Sequence, residues 1–338
     1  MTAAIKRALS VCSYRAGLTM GLVRLQTLFK PGKSNTFRIL NYHRVNDFSD
    51  PFTIDSVAAT DFKNQMRYIA RHYHVMSLDE IHDRITRRQA LPRQCLAITF
   101  DDGYADNYNF AYPILKKYEL TATIFLTAGC VESRMPLWFD QVLFALKTTS
   151  RKKCACPLTD KVFNIQTNDR KLHAAHFMLH ELKKADNDQR KKSVSDVLSE
   201  LGVSSSQMFN NAASLLTWPQ IMEMGNNSIT FGSHTMTHPI LAGLPTADLD
   251  WELKESRRVI EESLDREVRF FAYPNGKKTD YDERAIQAVK QAGYKAALTT
   301  EPHSNTPATY QYTWGRYRPW QDQVEHFSLA LFLQGLSK

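Results

Sequence analysis

Apolar residues fall into two spacings along this chain, and the alternation of the two predicts a fold. Short unbroken runs of β-forming residues read as buried strands: Phe37–Tyr42, Cys95–Phe100, Thr121–Thr127, Ser228–Gly232, Arg269–Tyr273 and Lys295–Thr300. Between them, apolar positions recur every three or four residues. Residues 60–72 put Phe62, Met66 and Ile69 on one helical face, and residues 77–88 open with Ser77 as cap and Glu80 three positions on. Helices are also predicted over residues 107–118, 246–264 and 282–292, the last closed by Gly293, and a final one over Phe327–Leu336. Strand–helix–strand order predicts a parallel sheet or barrel, since a parallel return needs a crossover that a helix supplies.

Residues 135–217 interrupt this order. They are polar, mostly helical in period, and carry a basic cluster that includes Arg151, Lys152, Lys153, Lys183, Lys184, Arg190, Lys191 and Lys192. The expected fold is therefore α/β: an incomplete (β/α) barrel in two parts, 36–134 and 218–338, with a helical insertion at 135–217. A basic amphipathic helix is expected before it, over residues 1–35, with Ile5, Leu9, Leu18, Leu22, Leu25 and Leu28 at its apolar positions.

Composition narrows the function classes only slightly. At 43% hydrophobic and 23% charged, the 338 residues are those of a globular protein rather than a disordered or fibrous one. The net charge of +8 fits a solvated face, and no nucleic-acid-binding signature accompanies it, so no nucleic-acid partner is expected. Between Arg15 and Arg24 the uncharged run Ala16–Val23 is far short of the roughly 20 residues of a membrane span, and no small-x-small cleavage site follows. Cytoplasmic location is expected, with residues 1–30 packed on the domain or lying on the inner-membrane surface. Five scattered cysteines without a Cys-x-x-Cys pair suit a reducing compartment.

The chemistry lies where strands end. Thr99-Phe100-Asp101-Asp102-Gly103 puts two adjacent carboxylates at the carboxyl end of an apolar strand, the end that lines the site in parallel α/β folds. Their repulsion and lost hydration are costly unless a cation relieves them. Ser233-His234-Thr235-Met236-Thr237-His238-Pro239 ends another strand, and its two imidazoles, four apart, would share a face on a helical turn. Two histidines and a carboxylate with open positions form a known metal-ligand set. In Arg269-Phe270-Phe271-Ala272-Tyr273-Pro274-Asn275-Gly276, the arginine could orient an aspartate, and the turn could aim a backbone N–H at a developing oxyanion.

Together, in this order, the three motifs resemble those of the NodB-type polysaccharide deacetylases, carbohydrate esterase family 4. The resemblance covers roughly residues 36–130 and 218–320. It implies a seven-stranded, incomplete (β/α) barrel and a metal-dependent hydrolase that removes N-acetyl groups from an amino-sugar polysaccharide or a lipid-linked glycan precursor. It further implies Asp101 as general base, Asp102, His234 and His238 as ligands of a divalent metal (zinc first, cobalt or nickel as alternatives), Arg269 as the arginine orienting the base, and the Asn275 N–H as oxyanion donor. The family's late Leu-x-His is missing after Thr300. Instead Ile39-Leu40-Asn41-Tyr42-His43 is similar to the Tyr-His motif of the poly-N-acetylglucosamine deacetylase branch, where motif order is permuted, and this makes His43 the candidate general acid. The competing class is a catalytically silent glycan-binding or scaffold protein, which would be expected to have lost a ligand or the base.

Overall fold

The computed structural model describes residues 35–334 apart from 49, 205, 209–214 and 320–322. The helix expected over residues 1–35 lies outside the described residues. The chain runs through β1 (Phe37–Tyr42), the parallel pair β2 (Arg44–Asn46) and β3 (Ser56–Ala58), and helix α1 (Ala59–His72). Next come β4 (His74–Val75), α2 (Leu78–Thr86) and β5 (Cys95–Phe100), then a wide π turn over Asn107–Ala111 that runs into α3 (Tyr112–Lys117), and β6 (Ala122–Leu126). The middle holds α4 (Ala128–Ser133), α5 (Trp138–Thr148), β7 (Lys153–Ala155), β8 (Val162–Asn164), α6 (Asn168–Lys184) and α7 (Asn187–Leu201). The alternation then resumes with α8 (Trp218–Gly225), β9 (Ile229–Ser233), α9 (Thr246–Leu264), β10 (Phe270–Ala272), α10 (Glu283–Gln291), β11 (Ala296–Leu298) and the closing α11 (Val324–Gln334).

Seven strands form one all-parallel sheet in the order β1-β5-β6-β9-β10-β11, with β4 also on β5. The sheet curls until its edges nearly meet. Trp314–Tyr317 spans the gap: the Trp314 N–H donates to the Ala297 carbonyl at 2.9 Å, the Tyr317 N–H to Ile39 at 2.8 Å, and the Asn41 N–H to Tyr317 at 2.8 Å. The molecule is thus an incomplete (β/α) barrel whose wall between β11 and β1 is an irregular segment. Sequence periodicity ended the strands at Thr300 and did not anticipate this seam.

Strand pleat decides what fills the barrel, because alternate side chains face inward. Phe37 and Ile39 of β1, Cys95 and Ala97 of β5, Phe125, Phe270, Ala272, Leu298 and Trp314 form the apolar interior. One pleat further along lie Asn41 and Thr99, then His43 and Asp101, so the interior turns polar toward the carboxyl ends of the strands. The opposite faces, among them Leu40, Tyr42, Ile98, Phe100 and Ile124, pack beneath α1, α3, α8 and α9 together with Phe62, Met66, Ile221 and Leu253.

The segment 135–217 contains the antiparallel hairpin β7–β8 as well as helices, where a mostly helical period was expected. Leu137, Val142, Leu146, Phe163, Met178 and Val197 form an apolar cluster that also takes in Phe52 and Tyr104 of the preceding part. Among the described residues no helix is long and apolar enough to cross a membrane.

Gly232 of β9 shows how tightly the barrel closes. A Cβ there would penetrate the Phe125 ring and sit 2.9 Å from the Phe270 carbonyl oxygen. Gly232→Ala is expected to destabilise the protein by about 1–3 kcal/mol in urea unfolding, the usual cost of overpacking. A loss below about 0.5 kcal/mol would show that the interior yields more easily than this packing implies.

Candidate active site

The carboxyl ends of the strands bring together residues far apart in sequence. The parallel register pairs Tyr42 with Phe100, Phe100 with Ile124 and Leu126 with Ser233, so His43, Asp101, Asp102 and His234 all follow the carboxyl ends of neighbouring strands. Asp101, Asp102, His234 and His238 are all at most 4% exposed.

Asp102, His234 and His238 each offer a ligand atom, and these atoms lie within 4.8 Å of one another. Asp102 Oδ1 is 3.6 Å from His234 Nε2 and 3.4 Å from His238 Nε2, and it is buried without a hydrogen-bond partner. His234 Nδ1 donates to the Ala272 carbonyl at 2.7 Å, which leaves the Nε2 lone pair facing Asp102. Burial lowers the proton affinity of both imidazoles. Burial first, then the neighbouring Asp101 and Asp140, pushes the Asp102 carboxyl well above its usual range. An orphaned carboxylate oxygen between two neutral imidazoles fits a divalent cation.

The expected helical turn at His234–His238 is absent. The two rings converge, with centroids 4.9 Å apart, on an irregular loop. Thr235 and His238 take left-handed backbone conformations at φ 71° and 58°, as does Asp102 at 74°. Such strain persists only where the surroundings enforce it. Here Glu252 of α9, 1% exposed, accepts the N–H groups of Met236 and Thr237 at 2.8 and 2.9 Å and the Thr237 hydroxyl. The His238 N–H donates to Thr235 Oγ1 at 3.0 Å. A buried carboxylate, rather than helix geometry, holds the loop.

Asp101 is anchored separately, and by a different arginine from the one expected. Arg316 Nη1 and Nη2 donate to the two Asp101 oxygens at 2.7 and 2.8 Å, and Asn41 Nδ2 adds a bond at 3.1 Å. Arg316 is 1% exposed and also donates to the Thr299 carbonyl and the Asn41 side-chain oxygen. Burial alone would raise the Asp101 carboxyl, but the charge of Arg316, helped by His234 and His43, outweighs it and keeps Asp101 ionised far below the usual carboxylate range. Arg269 instead bonds Asp79 and Asp83 of α2 at 2.6 Å each. It precedes β10, and the three residues from there to Ala272 span roughly 10 Å of strand, so its side chain belongs to the opposite end of the barrel. The signal that could have found Arg316 is the alternation Trp314-Gly315-Arg316-Tyr317-Arg318, which reads as a strand.

His43 sits beside this pair, its Nε2 3.9 Å from Asp101 Oδ2, with Nδ1 buried and unpartnered. Burial pushes its imidazole down to about 3, with Asp101 opposing and Arg318 and Arg316 reinforcing the shift. Asn275 follows β10 in a left-handed conformation at φ 57°, and the Asn275 carbonyl accepts from the Thr300 hydroxyl at 2.6 Å. That places the Pro274-Asn275-Gly276 turn on the same rim.

Around the site, Asp101, Asp102, Asp106 and Asp140 are buried carboxylates facing the buried guanidiniums of Arg44 and Arg316. With all of them ionised and the histidines neutral, this leaves two negative charges in excess. Glu252 and Arg190, also buried, add one of each sign. A divalent cation at Asp102 would restore neutrality.

This arrangement belongs to a known family. The polysaccharide deacetylase model matches residues 88–151 and 158–297, more than half of the chain, and the protein is a member of that family. A Bacillus subtilis (strain 168) protein, YxkH, named as a candidate polysaccharide deacetylase, is 23% identical over 81% of this chain and 66% of its own length. The poly-β-1,6-N-acetyl-D-glucosamine N-deacetylase of Staphylococcus aureus (strain N315) is 33% identical over 29% of this chain and 38% of its own length. The chain thus spans less than two thirds of these relatives. Among solved structures, the Streptococcus pyogenes deacetylase PplD in complex with acetate superimposes with a TM-score of 0.59 at 20% identity, covering 88% of this chain and 97% of that one. IcaB from Ammonifex degensii gives 0.57 at 19% identity, covering 88% and 98%. At such identities these structures establish the fold.

Two expectations test the geometry. Arg316→Met leaves Asp101 buried without its partner and is expected to cost about 3–5 kcal/mol in urea unfolding, whereas Arg269→Ala, among partly exposed partners, should cost about 1 kcal/mol or less. Equal losses would contradict the assignment of the buried pair. For the chain stripped of metal, the raised Asp102 value means that its ionised form is penalised in the folded state at pH 7, and that the penalty fades as pH falls through that value. Asp102→Asn should therefore raise the thermal midpoint of the metal-free protein at pH 7, with the gain shrinking toward pH 4. A midpoint at or below wild type at pH 7 would show that Asp102 is not destabilised.

Proposed function

We propose that this protein is a divalent-metal-dependent N-deacetylase acting on an acetamido sugar within a polysaccharide or a lipid-linked glycan precursor. The observation that carries the reading is the buried Asp102–His234–His238 cluster beside an Asp101 locked by Arg316. Family membership and the similarity to a poly-β-1,6-N-acetyl-D-glucosamine N-deacetylase support it. A divalent cation held by Asp102, His234 and His238, zinc in the first instance and cobalt or nickel as alternatives, would supply a Lewis acid that polarises the acetamide carbonyl and eases deprotonation of the attacking water.

The chain's own residues manage the proton. Asp101 is fixed in the acceptor state, with Oδ2 turned toward His43, and acts as the base toward water. His43 enters neutral. Asp101 takes the proton from water and relays it to His43 Nε2, 3.9 Å from its Oδ2, and His43 gives it to the departing amine. The Asn275 backbone N–H, on the rim beyond β10, is the oxyanion donor in this scheme. The four-part division of the chain, the cytoplasmic location and a peripheral inner-membrane contact through residues 1–30 belong to the same proposal, on the charge and apolar pattern of the sequence.

Acetate release from N-acetylglucosamine oligomers separates these roles. Asp101→Asn and His43→Ala should each keep metal and substrate binding and lose turnover, His43→Ala by about 10²–10⁴-fold. Wild-type turnover in His43→Ala would remove it from the reaction. Loss of metal in Asp101→Asn would mean that the two aspartates have exchanged roles.

A further inference from the structure

Helix α5, in the segment between the two motif-bearing parts of the barrel, meets the metal cluster with three consecutive residues. Trp138 Nε1 donates to the carbonyl of His238 at 3.1 Å. The Phe139 ring stands edge-on to the His238 imidazole, centroids 5.3 Å apart at 73°. Asp140 Oδ2 accepts the Tyr104 hydroxyl at 2.8 Å, and Tyr104 lies two residues beyond Asp102. All three are at most 9% exposed.

The contacts continue past Tyr104. The Arg44 guanidinium lies over the Tyr104 ring at 4.0 Å, and its Nε donates to Asp106 Oδ2 at 2.9 Å. Asn107, on the π turn, donates from Nδ2 to Asp106 Oδ1 at 3.0 Å and to the His43 carbonyl at 2.8 Å. One buried polar chain therefore runs from α5 through Tyr104, Arg44, Asp106 and Asn107 to the backbone of His43. At its α5 end it is joined to the loop carrying His238. An interior residue normally meets several apolar neighbours; three adjacent ones that each grip a ligand-bearing loop do something more specific.

We propose that Trp138 and Asp140 are positioning residues of the metal centre, so that the segment carrying α5 is a working part of the site rather than an appended lid. Trp138 sets the height of the strained His238 loop through its carbonyl, and Phe139 fixes the tilt of the imidazole. Asp140 holds Tyr104, and with it the left-handed Asp102 turn, while its charge balances that of Arg44. Neither residue touches substrate in this scheme; both act through the ligands. The proposal rests on the deacetylase reading only in taking Asp102, His234 and His238 as metal ligands.

The test is cobalt binding to the full chain, by competition against a chelator, with the visible absorption of the bound ion as a report on ligand geometry. Trp138→Phe removes the N–H donor while keeping an aromatic ring, and Asp140→Asn removes the charge at nearly constant shape. Each should weaken cobalt binding by roughly 10–100-fold, the usual effect of losing a group that orients a ligand, and each should shift the absorption bands. Lys147→Ala, on the same helix but pairing with Asp50 at the surface, should change neither. If one variant fails to fold by circular dichroism, the other and Phe139→Leu carry the test. Wild-type affinity and spectrum in folded Trp138→Phe and Asp140→Asn would overturn the proposal. A wild-type chain that binds no cobalt, zinc or nickel would overturn the deacetylase reading along with it.

Discussion

The structure depends on a buried ion pair that closes a barrel. Arg316 sits on the short segment filling the gap between β11 and β1, and its guanidinium crosses the interior to grip both oxygens of Asp101, the residue just after β5. Two buried charges are expensive unless their geometry is nearly ideal and their remaining donors are satisfied. Both conditions hold, because Thr299, Asn41 and Asp101 together take up the guanidinium donors. The pair thus links the irregular part of the wall to the regular part. It also fixes the protonation state of the residue on which the proposed chemistry turns. A seam of ordinary apolar residues could close the barrel, but it would leave Asp101 to titrate as an isolated buried carboxyl.

The second constraint is charge. Asp101 and Asp102 are neighbours in sequence, yet their environments drive them apart: one is compensated by Arg316, the other faces two neutral imidazoles. The left-handed backbone at Asp102, Thr235 and His238 is the conformational counterpart of the same tension. Glu252 pins the His238 loop, and the packing of α9 and α5 around it keeps the strain in place. Stability is given up locally in exchange for a site poised to take a cation.

Much of this was legible in the sequence, and the misses have definite physical causes. Strand and helix order was readable because the parallel strands are buried on both faces and so appear as unbroken apolar runs. That Asp101, Asp102, His234 and His238 would meet was readable because strand ends converge on one rim in this class of fold. Arg269 was misread because a motif gives order along the chain but not which end of a strand a side chain serves. Arg316 was overlooked because its segment lacks the unbroken apolar run by which the other strands were read, although Trp314 and Arg316 fall on alternate, inward positions. The helical turn expected at His234–His238 failed because spacing of four has a second solution, a loop clamped by a distant carboxylate, and Glu252 lies on another element. The network from α5 to His43 joins residues 43 to 140 in a way that no local pattern encodes.

The central claim is that the buried cluster, with its carboxylates ionised, carries two negative charges in excess, which a single divalent cation at Asp102 would neutralise. Native mass spectrometry of the purified chain tests this most directly, read before and after chelation and again after zinc is restored. The account expects one divalent ion per wild-type chain, removed by the chelator and regained with zinc, and none in Asp102→Ala. A wild-type chain that regains no ion, or an Asp102→Ala chain that holds one as firmly as wild type, would contradict it.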